Sequence, residues 1–76
     1  MDTIGSRLRW ARERRVLTQR QLAEQASVQE VTVSRIENGH YGPPKASTLQ
    51  RLAAALEVDP AWLRFGDEEQ EEKIAA

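Results

Sequence analysis

Seventy-six residues, none of them cysteine, suffice for one compact core and exclude a second, which would need about 50 more; a disulfide framework and a thiolate zinc site are excluded too. The longest apolar runs, such as Leu52 to Leu56, fall far short of the roughly 20 residues of a membrane span, and no charged segment followed by an apolar signal core opens the chain, so a cytoplasmic protein with no membrane role is expected. The net charge of -1 hides a split: residues 1–56 hold nine Lys and Arg against five Asp and Glu, and residues 57–76 two against seven, so a basic body suited to polyanionic partners precedes an acidic tail able to screen it.

From Ile4, the apolar positions Leu8 and Ala11 follow at i+4 and i+7, which predicts an amphipathic first helix from Ile4 to about Arg15 with an arginine-rich outer face. Thr18 with Gln21 three residues later forms a capping-box signature, and Leu22, Ala23 and Ala26 supply the apolar stripe of a second helix over 19–26. Ser27-Val28-Gln29 interrupts the pattern. Val33, Ile36 and Glu37 then share one face of a third helix that Gly39 can close in a left-handed conformation. About three residues separate helices two and three, too few for a long antiparallel hairpin but enough for a helix-turn-helix, where two short helices cross steeply.

The run from Gly39 to Pro44 carries the strongest breakers in the chain and reads as a loop. Leu49, Leu52, Ala53 and Leu56 form an i, i+3, i+4, i+7 stripe on a fourth helix over 46–56, whose start is poorly capped unless Ser47 or the proline loop serves. Asp59 followed by Pro60 gives an N-cap and a favoured first helical residue for one or two turns ending at Gly66, with Val58, Trp62 and Leu63 covering the end of the core. Beyond Gly66, charge without apolar periodicity predicts a mobile tail or a frayed helix over 67–76.

The exposed face of helix three is unusual. Gln29, Val31, Thr32, Ser34 and Arg35 dominate it, although Val, Thr and Ser each cost helicity by up to about 0.7 kcal/mol relative to Ala. These side chains suit base edges: Gln bonds adenine, Arg bonds guanine, Glu accepts from cytosine, and Val or Thr touches the thymine methyl. An irregular solvated face is the plainer alternative, and composition alone does not separate the two. Arg12 and Glu37 place opposite charges on the buried stripes of helices one and three. Either they pair, tying helix three to the scaffold, or both reach solvent.

Three segments carry a resemblance to a known family: L-T-Q-R-Q-L-A-E-Q-A at 17–26, V-Q-E-V-T-V-S-R-I-E-N-G at 28–39 and V-D-P-A-W-L-R-F-G at 58–66. Over Ile4 to Gly66 the chain resembles the phage repressor and Cro family of helix-turn-helix proteins, often called the Xre family. The resemblance implies an all-α, five-helix, lambda-repressor-like DNA-binding domain over residues 1–66. In it, helix two crosses the phosphates of double-stranded DNA and the start of helix three enters the major groove, usually in a two-fold homodimer.

Carried over by position, Gln29, Glu30, Val31 and Arg35 fall on base-facing sites, and Thr32 and Ser34 where base and phosphate contacts alternate. Arg35 is the strongest candidate for guanine. Gln19 is implied to bond a phosphate at the positive end of helix two, with Thr18 capping and assisting. Asn38, His40 and Lys45 match phosphate-facing positions around the loop, Arg15 adds a further phosphate contact, and Arg12 with Glu37 matches the family's structural ion pair. Two departures stand out. Ser27 occupies a turn position usually held by glycine, so it either turns left-handed at a cost or reshapes the turn. Gly42 and Pro43 replace loop cations, and Glu30 brings negative charge to the groove, which implies modest intrinsic affinity.

The reading is a transcriptional regulator, autoregulatory in the simplest case, acting as a homodimer on two half-sites. The alternative is a protein-interaction module, such as an antitoxin or adaptor, presenting Trp10, the carboxy-terminal helix or the tail to a protein partner; Trp10, Trp62 and Phe65 are equally readable as ordinary half-exposed aromatics. No catalytic residue, cofactor or metal site is expected. His40 is the single histidine, with no ligand cluster around it, and the glutamates after Gly66 read as a solvated tail.

Overall fold

The computed structural model describes residues 3–40 and 42–67, so the acidic tail expected over 67–76 lies, from residue 68, outside the described residues. Among the described residues, five α-helices follow one another: α1 (Ile4–Arg14), α2 (Gln19–Ala26), α3 (Glu30–Asn38), α4 (Ala46–Leu56) and α5 (Pro60–Phe65). None is long and apolar enough to cross a membrane. Their principal contacts close into a ring in the order α1, α3, α2, α4, α5 and back to α1. Each helix sends one side chain to the centre, Leu8, Leu22, Val33, Leu52 and Leu63, all fully buried. Burying one such side chain is worth about 1.5–3 kcal/mol, so this centre is the main source of cohesion.

Side-chain caps start three of the helices. Thr18 accepts from the Gln21 N–H while the Gln21 side chain accepts from the Thr18 N–H, the reciprocal box read from sequence. Thr3 and Ser6 make an equivalent box at α1. Asp59 caps α5 through the Ala61 N–H at 3.0 Å, ahead of Pro60 at the first helical position. By contrast, Gln29 and Lys45, which precede α3 and α4, make no side-chain cap hydrogen bond.

Four helices end alike. After α1, α2, α3 and α4, a residue with φ between 56° and 71° reverses the chain, at Val16, Ser27, Gly39 and Glu57. The next residue's N–H returns to a carbonyl five residues back, as Leu17 to Arg12, Val28 to Ala23, His40 to Arg35 and Val58 to Ala53. Ser27 thus takes the left-handed option of the two that sequence left open. Three of the four reversals use residues that disfavour this conformation by about 1–2 kcal/mol. The following residue supplies the reason: Leu17, Val28 and Val58 each pack against the core. After Gly39 comes His40, which is exposed and gains no burial, and there the chain uses glycine.

The two tryptophans meet at the seam of α1 and α5. Trp10, 41% exposed, lies edge-on to Trp62 with ring centroids 5.7 Å apart, and the Arg14 guanidinium stacks on its face at 5.1 Å. Arg7 is buried where α1 meets α5. Its Nε donates to the Leu63 carbonyl at 2.9 Å and an Nη to that of Arg64 at 2.6 Å, closing the open carboxy-terminal end of α5.

Candidate nucleic-acid interface

The left-handed turn at Ser27 brings α3 out of α2 after three residues, with Val28 half-buried as the pivot. Val33 and Ile36 fasten α3 to the core. That leaves Gln29, Glu30, Val31, Arg35 and Asn38 exposed, with Thr32 and Ser34 at the edge of the exposed strip. Val31 is 43% exposed and gains little from burial. Glu30 in the first turn and Arg35 in the last turn both favour the helix dipole, so Glu30 has a local reason to be there besides any base contact. The Asn38 amide donates to Ser34 Oγ at 3.3 Å along the same strip.

Beneath this strip the two charges that interrupt the buried stripes meet. Arg12 Nε donates to Glu37 Oε2 at 2.7 Å and Nη2 to Oε1 at 2.9 Å, a fork, while Nη1 donates to the Leu17 carbonyl at 2.9 Å. The Glu37 side chain is 0% exposed and that of Arg12 13%. Two more donors reach Glu37 Oε1, Gln19 Nε2 at 3.2 Å and Arg9 Nε at 3.3 Å. Burial alone would push the Glu37 carboxyl up, but the hydrogen bonds from Arg12, Gln19 and Arg9 and the charge of Arg12 outweigh it and hold the carboxyl below its ordinary value. The Glu37 hydrogen bond, against a smaller burial effect, raises Arg12. A single anion therefore ties α1, the first turn of α2 and the last turn of α3 together.

The remaining candidate phosphate contacts are dispersed. Gln19 has one amide N–H engaged with Glu37 and keeps a second, and the Thr18 hydroxyl accepts the capping bond of α2. His40 and Lys45 are exposed at the two ends of the loop. Arg15 stands apart: its Nη1 donates to Glu57 Oε2 at 2.6 Å, at the far end of α4, so the structure does not bring it to the α2–α3 group. Sequence reasoning missed two residues around this group, Gly5 and Arg9, and a third, Arg7, at the α1–α5 seam. The advance signals were a glycine inside a helix, which weakens it, and the arginine-rich outer face of that helix.

A helix-turn-helix domain model matches residues 3–64. The chain is 47% identical over 65 residues to the HTH-type transcriptional repressor RghR of Bacillus subtilis (strain 168), covering 86% of this chain and 48% of that protein. Over 69 residues it is 38% identical to the HTH-type transcriptional regulator DicA of Escherichia coli (strain K12), covering 91% of this chain and 50% of that protein. The chain thus spans about half the length of these relatives. Among solved structures, the P22 c2 repressor in complex with synthetic operator 9T superposes with a TM-score of 0.80 at 28% identity, over 88% of this chain and all of that one.

Proposed function

Because the chain belongs to the phage repressor/Cro-like (Xre) family of helix-turn-helix regulators, we propose that it is a sequence-specific DNA-binding transcriptional regulator, reading the major groove with α3 and acting as a homodimer. Residues 1–66 form the DNA-binding unit, and the operator carries two half-sites about 34 Å apart. RghR is named a repressor and the P22 c2 repressor was solved on operator DNA, which supports this reading. The observation that carries it is the outer strip of α3: Gln29, Glu30, Val31, Arg35 and Asn38 exposed and the poor helix formers Thr32 and Ser34 at its edge, on a helix whose other face is locked by Val33, Ile36 and Glu37.

Arg35 is placed against guanine, Gln29 and Glu30 at neighbouring base edges, and Val31 against a thymine methyl, with Thr32 and Ser34 at the groove wall. Gln19, Asn38, His40 and Lys45 hold the phosphates, helped by the uncapped amino ends of α3 and α4. Arg15 keeps a phosphate role only where DNA draws it from Glu57. Selection from random duplexes, followed by Arg35→Ala, tests the reading: the variant should lose about 1–3 kcal/mol on the selected site and little on random DNA. Equal losses on both refute the role of Arg35. Absence of any enriched sequence instead supports a protein-interaction module, the reading that the exposed Trp10 and Phe65 favour.

A further inference from the structure

We propose that Gly5 and Arg9 are positioning residues for sequence discrimination, setting where α3 sits through a close seam between the first turns of α1 and the last turn of α3. The inference rests on the reading of α3 as the DNA-reading helix. Residues 5, 9 and 12 lie at i, i+4 and i+7, one face of α1, and all three end on residues 36 and 37. A Cβ at Gly5 would stand 2.5 Å from the Ile36 carbonyl oxygen and 2.8 Å from that of Glu37. Both are backbone atoms. The Ile36 carbonyl is moreover bonded by the Gly39 N–H at 3.2 Å, so it cannot swing aside without undoing the end of α3.

No local reason calls for glycine here. The glycines with positive φ are Gly39 and Gly66, and a glycine within a helix weakens it. The seam is what requires it: α1 can rest directly on the α3 carbonyls because residue 5 has no side chain. Arg9 then reaches Glu37 from the next turn, so the seam is closed by contact above and by charge below.

Relieving the 2.5 Å contact to an ordinary carbon–oxygen approach of about 3.3 Å moves the last turn of α3 by about 0.8 Å. Recognition geometry tolerates roughly 0.5 Å. Base-edge hydrogen bonds should fail at that displacement, whereas phosphate contacts, which act through charge and carry no sequence, should largely survive it.

The test is the ratio of affinities for the selected site and for a random duplex, measured on the full chain by fluorescence anisotropy well below the melting temperature. Gly5→Ala should lower that ratio at least about tenfold, and Arg9→Ala, which adds no atoms, by about threefold. A merely structural role lowers the folded fraction and reduces both affinities by one factor, leaving the ratio unchanged. If Gly5→Ala does not fold, it is measured in the Val16→Gly background, and Arg9→Ala decides independently. An unchanged ratio in both variants overturns the inference. A wild-type chain that selects no sequence overturns the DNA-reading premise instead, so the two failures are distinguishable.

Discussion

Replacing Arg12 with alanine isolates the contribution of the buried ion pair. Among the described residues, Arg12 supplies two of the four side-chain hydrogen bonds to Glu37, and because Arg9 and Gln19 both reach Oε1, its removal leaves Oε2 without a side-chain donor from them. Stripping one partner from a buried pair costs about 3–5 kcal/mol, and the two remaining donors place this case near about 3 kcal/mol. A 76-residue chain has a total stability of roughly 4–11 kcal/mol, so a large part of it should disappear. Urea unfolding followed by circular dichroism measures the loss. The sign of its pH dependence is an independent check. In the native chain the folded-state carboxyl is held below its unfolded value, so its contribution is full above about pH 5 and is lost as pH falls through the depressed value. Without Arg12, burial is opposed only by the hydrogen bonds of Gln19 and Arg9, so the folded carboxyl stands higher than in the native chain and protonation costs the variant less stability. The gap between variant and native chain should therefore narrow as pH falls from about 5 to about 3. A cost below about 1 kcal/mol at neutral pH, or one that stays constant across that range, would refute this account.

Three further outcomes follow from single contacts. Val16→Gly should raise stability by about 0.5–1 kcal/mol and the melting temperature by roughly 2–8 °C, because Val16 is 87% exposed in a left-handed conformation that glycine adopts freely; a lower melting temperature contradicts the strain. Arg7→Ala should cost about 2 kcal/mol, and hydrogen exchange should show α5 opening first. Arg7→Lys should not restore it, since an ammonium lacks the planar fork that reaches two carbonyls, and full rescue by lysine would sink the assignment. Lys45→Ala should weaken binding evenly across sequences and reduce the salt slope by about one, as titrations at several salt concentrations would show; a sequence-dependent loss would instead place Lys45 at a base.

The helix spans, the capping box at Thr18, the N-cap at Asp59 and the core stripe of α4 were legible in the residues alone. Each of these depends on partners within about four positions along the chain, where spacing and residue type suffice. The outer strip of α3 was legible for the same reason, since Val31, Thr32 and Ser34 contradict local helix preference. Tertiary structure decided the rest. Whether Arg12 and Glu37 pair or reach solvent depends on a contact 25 residues apart, and the Arg7 contact to Leu63 spans 56. Gly5 shows no reason for being glycine until α3 lies against it. Val16 and Glu57 adopt left-handed backbones because Leu17 and Val58, the residues after them, find a core to enter. Local hydrogen bonding chooses the elements; only packing reveals where a side chain must be absent, or a charge neutralised, for those elements to meet.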